Sequence, residues 1–247
     1  MLDHERLESG LSQIELRITE RPATPKAGHI LILMHGLRRT MGMGRQAAGL
    51  LPELAEHLAN ESGWTIASVT LSGVGASTGT FSPAQWKQDM VTIIERISKE
   101  KQRISLAGFG FGGALALNAA ASDERIQGVA TFATPAHMQS WIGTAEAFHQ
   151  GIKVAGVVSE SVPLLSAKEL YDEVMAMDPL GSIAKIPPRR LLIGHGADDA
   201  DVPVQDARDL VDAAGQHAEL RIIQGAGHQL RADPRMVATL LGWLDRH

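Results

Sequence analysis

Hydrophobic spacing changes repeatedly along the chain between a period of about two and a period near 3.6, and that alternation predicts the elements. His29 to Met34 (HILILM) is a continuous apolar run, as expected of a strand covered on both faces of a parallel sheet. Leu11 to Thr19 instead alternates apolar and polar positions, with one slip of phase near Gln13, and predicts a half-exposed edge strand. Trp64 to Leu71, Ile104 to Ala107, Ile126 to Ala133, Arg190 to Gly194 and Ala218 to Ile223 are further predicted strands. Helical spacing lies between them: Gln46 to Asn60 through Leu50, Leu54 and Leu58, and a helix from Ser82 through Trp86, Met90, Ile93, Ile94 and Ile97. Ser82-Pro83-Ala84-Gln85 supplies an N-cap, a proline at N1 and a glutamine at N3 for that second helix. Pro203 opens a helix to about Ala214, and Asp233-Pro234 caps a last one to Trp243. Turns are predicted at Arg21 to Gly28, and loops at Arg38 to Arg45 and Ser72 to Gly79.

Repeated strand-helix alternation predicts an α/β fold: a mostly parallel central sheet with helices on both faces. Pro135 to Ile186 breaks the rhythm without an evident strand, so residues 136–186 are expected to form a small helical insertion in a single domain spanning 1–247.

Composition narrows the function by exclusion. A net charge of -5 over 247 residues gives no electrostatic case for nucleic acid or an anionic membrane. With no cysteine, thiolate catalysis and zinc-thiolate sites are excluded, and the ten histidines show no short ligand spacing, so no metal and no cofactor is expected. The first ten residues carry three acids, an arginine and a histidine, unlike a secretory signal, and no apolar run approaches a membrane span. The expectation is a cytoplasmic protein acting on a small molecule.

The chemistry centres on Gly108-Phe109-Gly110-Phe111-Gly112-Gly113, a turn from a predicted strand into an Ala/Leu-rich helix. Read as G-x-G-x-x-G it would cradle a dinucleotide pyrophosphate. That reading needs an acid near the end of the next strand for the ribose, and neither Ile126 to Ala133 nor Thr134-Pro135 contains one. Read as G-x-S-x-G it is a nucleophile elbow with glycine at its centre. The elbow reading needs a later acid, a last histidine and backbone N–H donors. His195-Gly196-Ala197-Asp198-Asp199-Ala200-Asp201-Val202-Pro203 follows one strand, Gly225-Ala226-Gly227-His228 follows the last, and His35-Gly36-Leu37 ends an early one.

In those motifs and their order the chain resembles the α/β-hydrolase superfamily, in its esterase-like or dienelactone-hydrolase-like branches with a small cap, from about Gly28 to Trp243. The resemblance implies Asp199 as the triad acid, with Asp198 and Asp201 as competitors, His228 as the base, and the Leu37 and Phe111 amides as an oxyanion hole. It also implies that Leu71 to Gly79 corresponds to an Arg-Gly-x-Gly-x-Ser loop with Ser72 where Arg is usual. His35, Met138, Trp141, Phe148 and Tyr171 are the candidate pocket residues, favouring an apolar acyl or aryl group. His35 and His195 also suit backbone-bonding roles at strand ends.

The departure is Gly110, which stands at the nucleophile position and has no side chain to attack a carbonyl. Three explanations follow: natural loss of the serine, an engineered change, or hydrolysis by a water that His228 activates. The expected protein is inactive or very slow as an esterase, with a small-molecule-binding protein as the alternative.

Overall fold

The computed structural model describes residues 2–20, 28–37, 47–101 and 103–247. The loop predicted at 38–45 and nearly all of the turn at 21–28 lie outside those residues. Eight strands form one sheet: β1 (Leu2–Ser9), β2 (Ser12–Thr19), β3 (His29–Met34), β4 (Thr65–Thr70), β5 (Arg103–Phe109), β6 (Ile126–Phe132), β7 (Arg190–Gly196) and β8 (Ala218–Ile223). Their order is β1-β2-β4-β3-β5-β6-β7-β8. The pairs β1/β2 and β2/β4 are antiparallel, and the remaining pairs from β4 to β8 are parallel. This is the α/β-hydrolase fold.

The continuous apolar run of β3 is explained by its alternate sides. Ile30, Ile32 and Met34 enter one core, while Leu31 and Leu33 enter a second core on the opposite face. The first core lies under α2 (Pro83–Ser98), α3 (Phe111–Ser122) and α8 (Val204–Ala213), the second under α1 (Leu51–Ser62) and α9 (Pro234–Asp245). Ser82 caps α2 as predicted, its side chain accepting from the Gln85 N–H at 3.0 Å. Asp233 caps α9 by accepting from the Arg235 N–H at 2.9 Å. The insertion between β6 and β7 holds four helices, α4 (Met138–Ile142), α5 (Ala145–Ala155), α6 (Ala167–Met175) and α7 (Pro179–Ile183). Among the described residues no helix is long and apolar enough to cross a membrane.

Two expectations are corrected. The stretch from Leu11 is not an edge strand: Leu2–Ser9 pairs along its outer side, and Leu11 belongs to the hairpin turn, 86% exposed. The charged residues of β1 hid its strand character, and charges of that kind are what an edge strand carries to discourage pairing with another chain. The first helix begins at Leu51, beyond the predicted Gln46, with Pro52 in its first turn.

After β3 the chain crosses to β4 on one side and returns to β5 on the other. A crevice therefore opens beyond the carboxyl ends of β3 and β5, the place where open α/β sheets bind ligands.

Candidate functional site

Gly110 lies in that crevice with φ 55° and ψ −124°, between the end of β5 and the first turn of α3. The surrounding glycines differ in what they require. A Cβ at Gly108 would overlap the Gly112 carbonyl, one at Gly112 the His35 carbonyl, and one at Gly113 the Thr134 hydroxyl. Those three glycines let the helix fold back against the strand ends. A Cβ at Gly110 meets nothing closer than His228 Nε2 at 3.5 Å, His228 Cε1 at 3.8 Å and the Ala133 carbonyl at 4.0 Å. Space for a side chain therefore exists at position 110, and it faces the imidazole.

The loops after β7 and β8 bring the acid and the base together. Ala197 N–H donates to the Ile223 carbonyl at 3.0 Å and Asp198 N–H to the Ala226 carbonyl at 3.0 Å. Gly196 passes so close to Ala226 and Gly227 that a Cβ would strike their carbonyls. His228 Nδ1 then lies 2.9 Å from Asp199 Oδ2. Asp199 Oδ1 accepts from the Asp201 and Val202 N–H groups, each at 2.9 Å. His195 Nε2 sits 3.0 Å from the Val202 carbonyl and 3.3 Å from Asp199 Oδ2. Since a carbonyl only accepts, Nε2 of His195 carries its proton.

The Asp199 side chain is fully buried. Burial alone would raise its pKa, but hydrogen bonds from His195, His228 and the Val202 N–H outweigh it and hold the carboxyl well below the usual range. An ionised acceptor at Oδ2 fixes His228 with its proton on Nδ1, leaving Nε2 as a lone-pair acceptor aimed at position 110. Of the three candidate acids, Asp199 makes this bond; Asp198 and Asp201 are exposed.

Opposite the imidazole, the Leu37 and Phe111 amides border the same cavity, and neither N–H has an acceptor among the described residues. The cavity measures about 380 Å³, and its walls include Gly110, Phe111, Trp141, His228 and Arg231. Trp141 stacks on Phe111 with ring centroids 5.3 Å apart and planes 10° from parallel.

The predicted pocket list needs correction. Trp141 alone of the five candidates lines the cavity. His35 is fully buried, with Nδ1–H donating to the Gly36 carbonyl at 2.9 Å and Nε2 accepting from the Leu71 N–H at 3.1 Å. It ties the ends of β3 and β4, and burial lowers its pKa to about 4. Met138 and Phe148 point into the core, Phe148 against Phe81 and Trp141, and Tyr171 packs at the margin of that core. The insertion buries its aromatic residues beneath itself, so their number in the sequence reported packing and not a substrate wall.

Sequence reasoning also missed residues. Arg231 brings a cation to the cavity wall, three positions after His228; its Nη1 donates to the Ala47 carbonyl at 2.8 Å. Asp89 lies fully buried beneath Ser72, accepting from Ser9 Oγ at 2.7 Å, Ser72 N–H at 2.8 Å, Ser72 Oγ at 3.0 Å and Gln85 Nε2 at 2.9 Å. Its position one turn after Gln85, on the apolar face of α2, was the available signal. Two groups bring ligand-type atoms within 4.8 Å of one another: Asp199, Asp201 and His228, and His137, Asp206 and Asp209. In the first, Asp199 already receives its N–H donors. In the second, Asp206 accepts the Ala136 N–H at 2.8 Å while His137 pairs with Asp209 at 2.8 Å.

Comparison with known proteins agrees with this architecture. The model of the prolyl oligopeptidase family matches residues 89–247, well over half of the chain. Among solved structures, the α/β hydrolase GrgF from Penicillium sp. sh18 superposes with a TM-score of 0.75 at 18% identity, over 100% of this chain and 99% of that one. Est1E from Butyrivibrio proteoclasticus gives 0.73 at 15% identity, over 98% and 96%. XC6422 from Xanthomonas campestris, described as a serine hydrolase without lid, gives 0.65 at 19% identity, over 99% and 92%. No curated protein sequence matches the chain significantly.

Proposed function

The chain belongs to the prolyl oligopeptidase family of α/β-hydrolase-fold proteins, and on that premise we propose that it is a relative of the carboxylic ester hydrolases whose triad has lost its nucleophile. Gly110 stands at the nucleophile position, Asp199 orients the base, His228 is the base, and the Leu37 and Phe111 amides hold an oxyanion. The observation that carries the reading is the empty side-chain position at Gly110, whose Cβ would lie 3.5 Å from His228 Nε2.

In a serine-bearing form, His228 would take the hydroxyl proton while the oxygen attacks the carbonyl, and the two amides would stabilise the tetrahedral oxyanion. The protein as it stands cannot form that covalent intermediate, so it is inactive or very slow on esters. Residual turnover would use a water above Gly110, held by His228 Nε2 and the Ala133 carbonyl. Triad sites lacking one member keep roughly 10³- to 10⁴-fold over water from the remaining groups. The aromatic wall of Trp141 on Phe111 favours an apolar or aryl acyl group.

A fluorophosphonate probe tests the reading directly. It should label Gly110→Ser protein at position 110, and neither the unmodified chain nor Gly110→Ser/His228→Ala. A Gly110→Ser protein that folds and stays unlabelled contradicts it. The second reading, a small-molecule-binding protein without chemistry, is favoured by the cavity of about 380 Å³ that persists beside the vacant position.

A further inference from the structure

A base and an oxyanion cradle without an attacking atom form a site for a different reaction. The inference below rests on the reading just given for His228, Asp199 and the two amides, and asks what those groups do together when residue 110 contributes no oxygen.

The Cβ position above Gly110 marks where a substrate carbon can sit. An atom there lies 3.5 Å from His228 Nε2 and 3.8 Å from Cε1, with no neighbour closer. That is contact distance for a C–H bond facing a lone pair, at the edge of the roughly 3–3.5 Å range of reacting atoms. In a serine hydrolase the side chain would fill this volume; here Gly110 is part of the cavity wall. Asp199 is more than a turn cap: its Oδ1 alone takes the Asp201 and Val202 N–H groups, while Oδ2 serves His228 and His195. The free amides of Leu37 and Phe111 border the same volume.

We propose that this site catalyses proton abstraction from a carbon next to a carbonyl, on a ketone or ester whose aryl or apolar group packs against Trp141. The α-C–H bond breaks and its proton passes to Nε2, giving an imidazolium paired with Asp199. The C–H electron pair forms the enolate double bond, and the carbonyl π pair moves onto oxygen, where the Leu37 and Phe111 N–H groups receive it. Return of a proton from Nε2 to the same carbon closes the cycle, so no oxidant, reductant or second substrate is consumed. The net result is exchange with solvent or inversion at that carbon. Enolate chemistry requires a base poised near neutrality and donors aimed at the developing oxyanion, and both are groups this chain retains.

The probe is phenylacetone in D₂O, with loss of the benzylic methylene proton signal followed by NMR. The unmodified chain should exchange these protons at least tenfold faster than His228→Ala and His228→Asn proteins of unchanged Tm. Gly110→Ser should lower the exchange at least tenfold, because a side chain then fills the carbon's place and hydrogen-bonds Nε2. Exchange no faster than in the His228 variants overturns the proposal. If Gly110→Ser nevertheless hydrolyses p-nitrophenyl esters, the hydrolase reading stands while this one falls. His228-dependent exchange in a chain whose Gly110→Ser form shows no esterase activity supports the present proposal and counts against the hydrolase reading. Ester hydrolysis by the unmodified chain without any carbon exchange assigns the vacant position to water and overturns the proposal.

Discussion

Substituting alanine for each glycine of the turn separates two physical demands. Gly110→Ala adds a methyl that meets nothing within 3.5 Å, so its cost is the backbone strain of φ 55° and ψ −124°. A side chain held in a sparsely populated region of that kind costs ~1–3 kcal/mol. For a chain of this size each kcal/mol moves Tm by roughly 2–4 °C, so Gly110→Ala should melt about 2–12 °C lower with its fold intact. Gly112→Ala has ordinary backbone freedom to contend with, but its methyl overlaps the His35 carbonyl, backbone against backbone. Nothing flexible yields there, and a loss above ~4 kcal/mol, or no folded protein, is expected. Urea unfolding of the two variants, with circular dichroism as the signal, measures both. Equal destabilisation by the two substitutions would refute the reasoning, since it would mean that Gly110 is demanded sterically and that position 110 never had room for a serine.

Other expectations follow from the same geometry. His35 is held neutral with a pKa lowered to about 4 from 6.5, so the unfolded chain binds the proton first as pH falls; stability should drop by up to about 3 kcal/mol between pH 6.5 and 4, and His35→Gln should flatten that part of the denaturation profile. Asp89 has its pKa raised, chiefly by burial, so it favours the folded state more as pH falls; relative to Asp89→Asn, the unmodified protein should be comparatively more stable at pH 4 than at pH 8, and an unchanged difference would contradict the burial account. In a Gly110→Ser background, Trp141→Ala should raise KM for aryl esters several-fold with little change in Tm, because the ring is part of the cavity wall; unchanged kinetics would place the acyl group elsewhere.

Much of the sheet and the order of the site groups could be read from the chain because short-range rules write them. The unbroken HILILM run requires cover on both faces, and β3 has it. Ser82 with Gln85, and Asp233 with Arg235, are local capping contacts. The pairing of Asp199 with His228 was anticipated only through loop order, and the choice among Asp198, Asp199 and Asp201 depended on bonds between the loops after β7 and β8 that no spacing encodes. Pocket residues were the poorest inference. Phe148 and Met138 sit on helices whose apolar side faces the core, and periodicity does not distinguish a core face from a cavity face. Arg231 was missed because its role comes from the short turn after His228. The edge strand β1 was hidden by its charges.

The vacant position at Gly110 is the centre of the account, and restoring its oxygen tests it most directly. Initial rates on p-nitrophenyl butyrate should be at or near the uncatalysed rate for the unmodified chain, rise at least ~10³-fold in Gly110→Ser, and return to baseline in Gly110→Ser/His228→Ala. A fast unmodified chain that Gly110→Ser leaves no faster would contradict it.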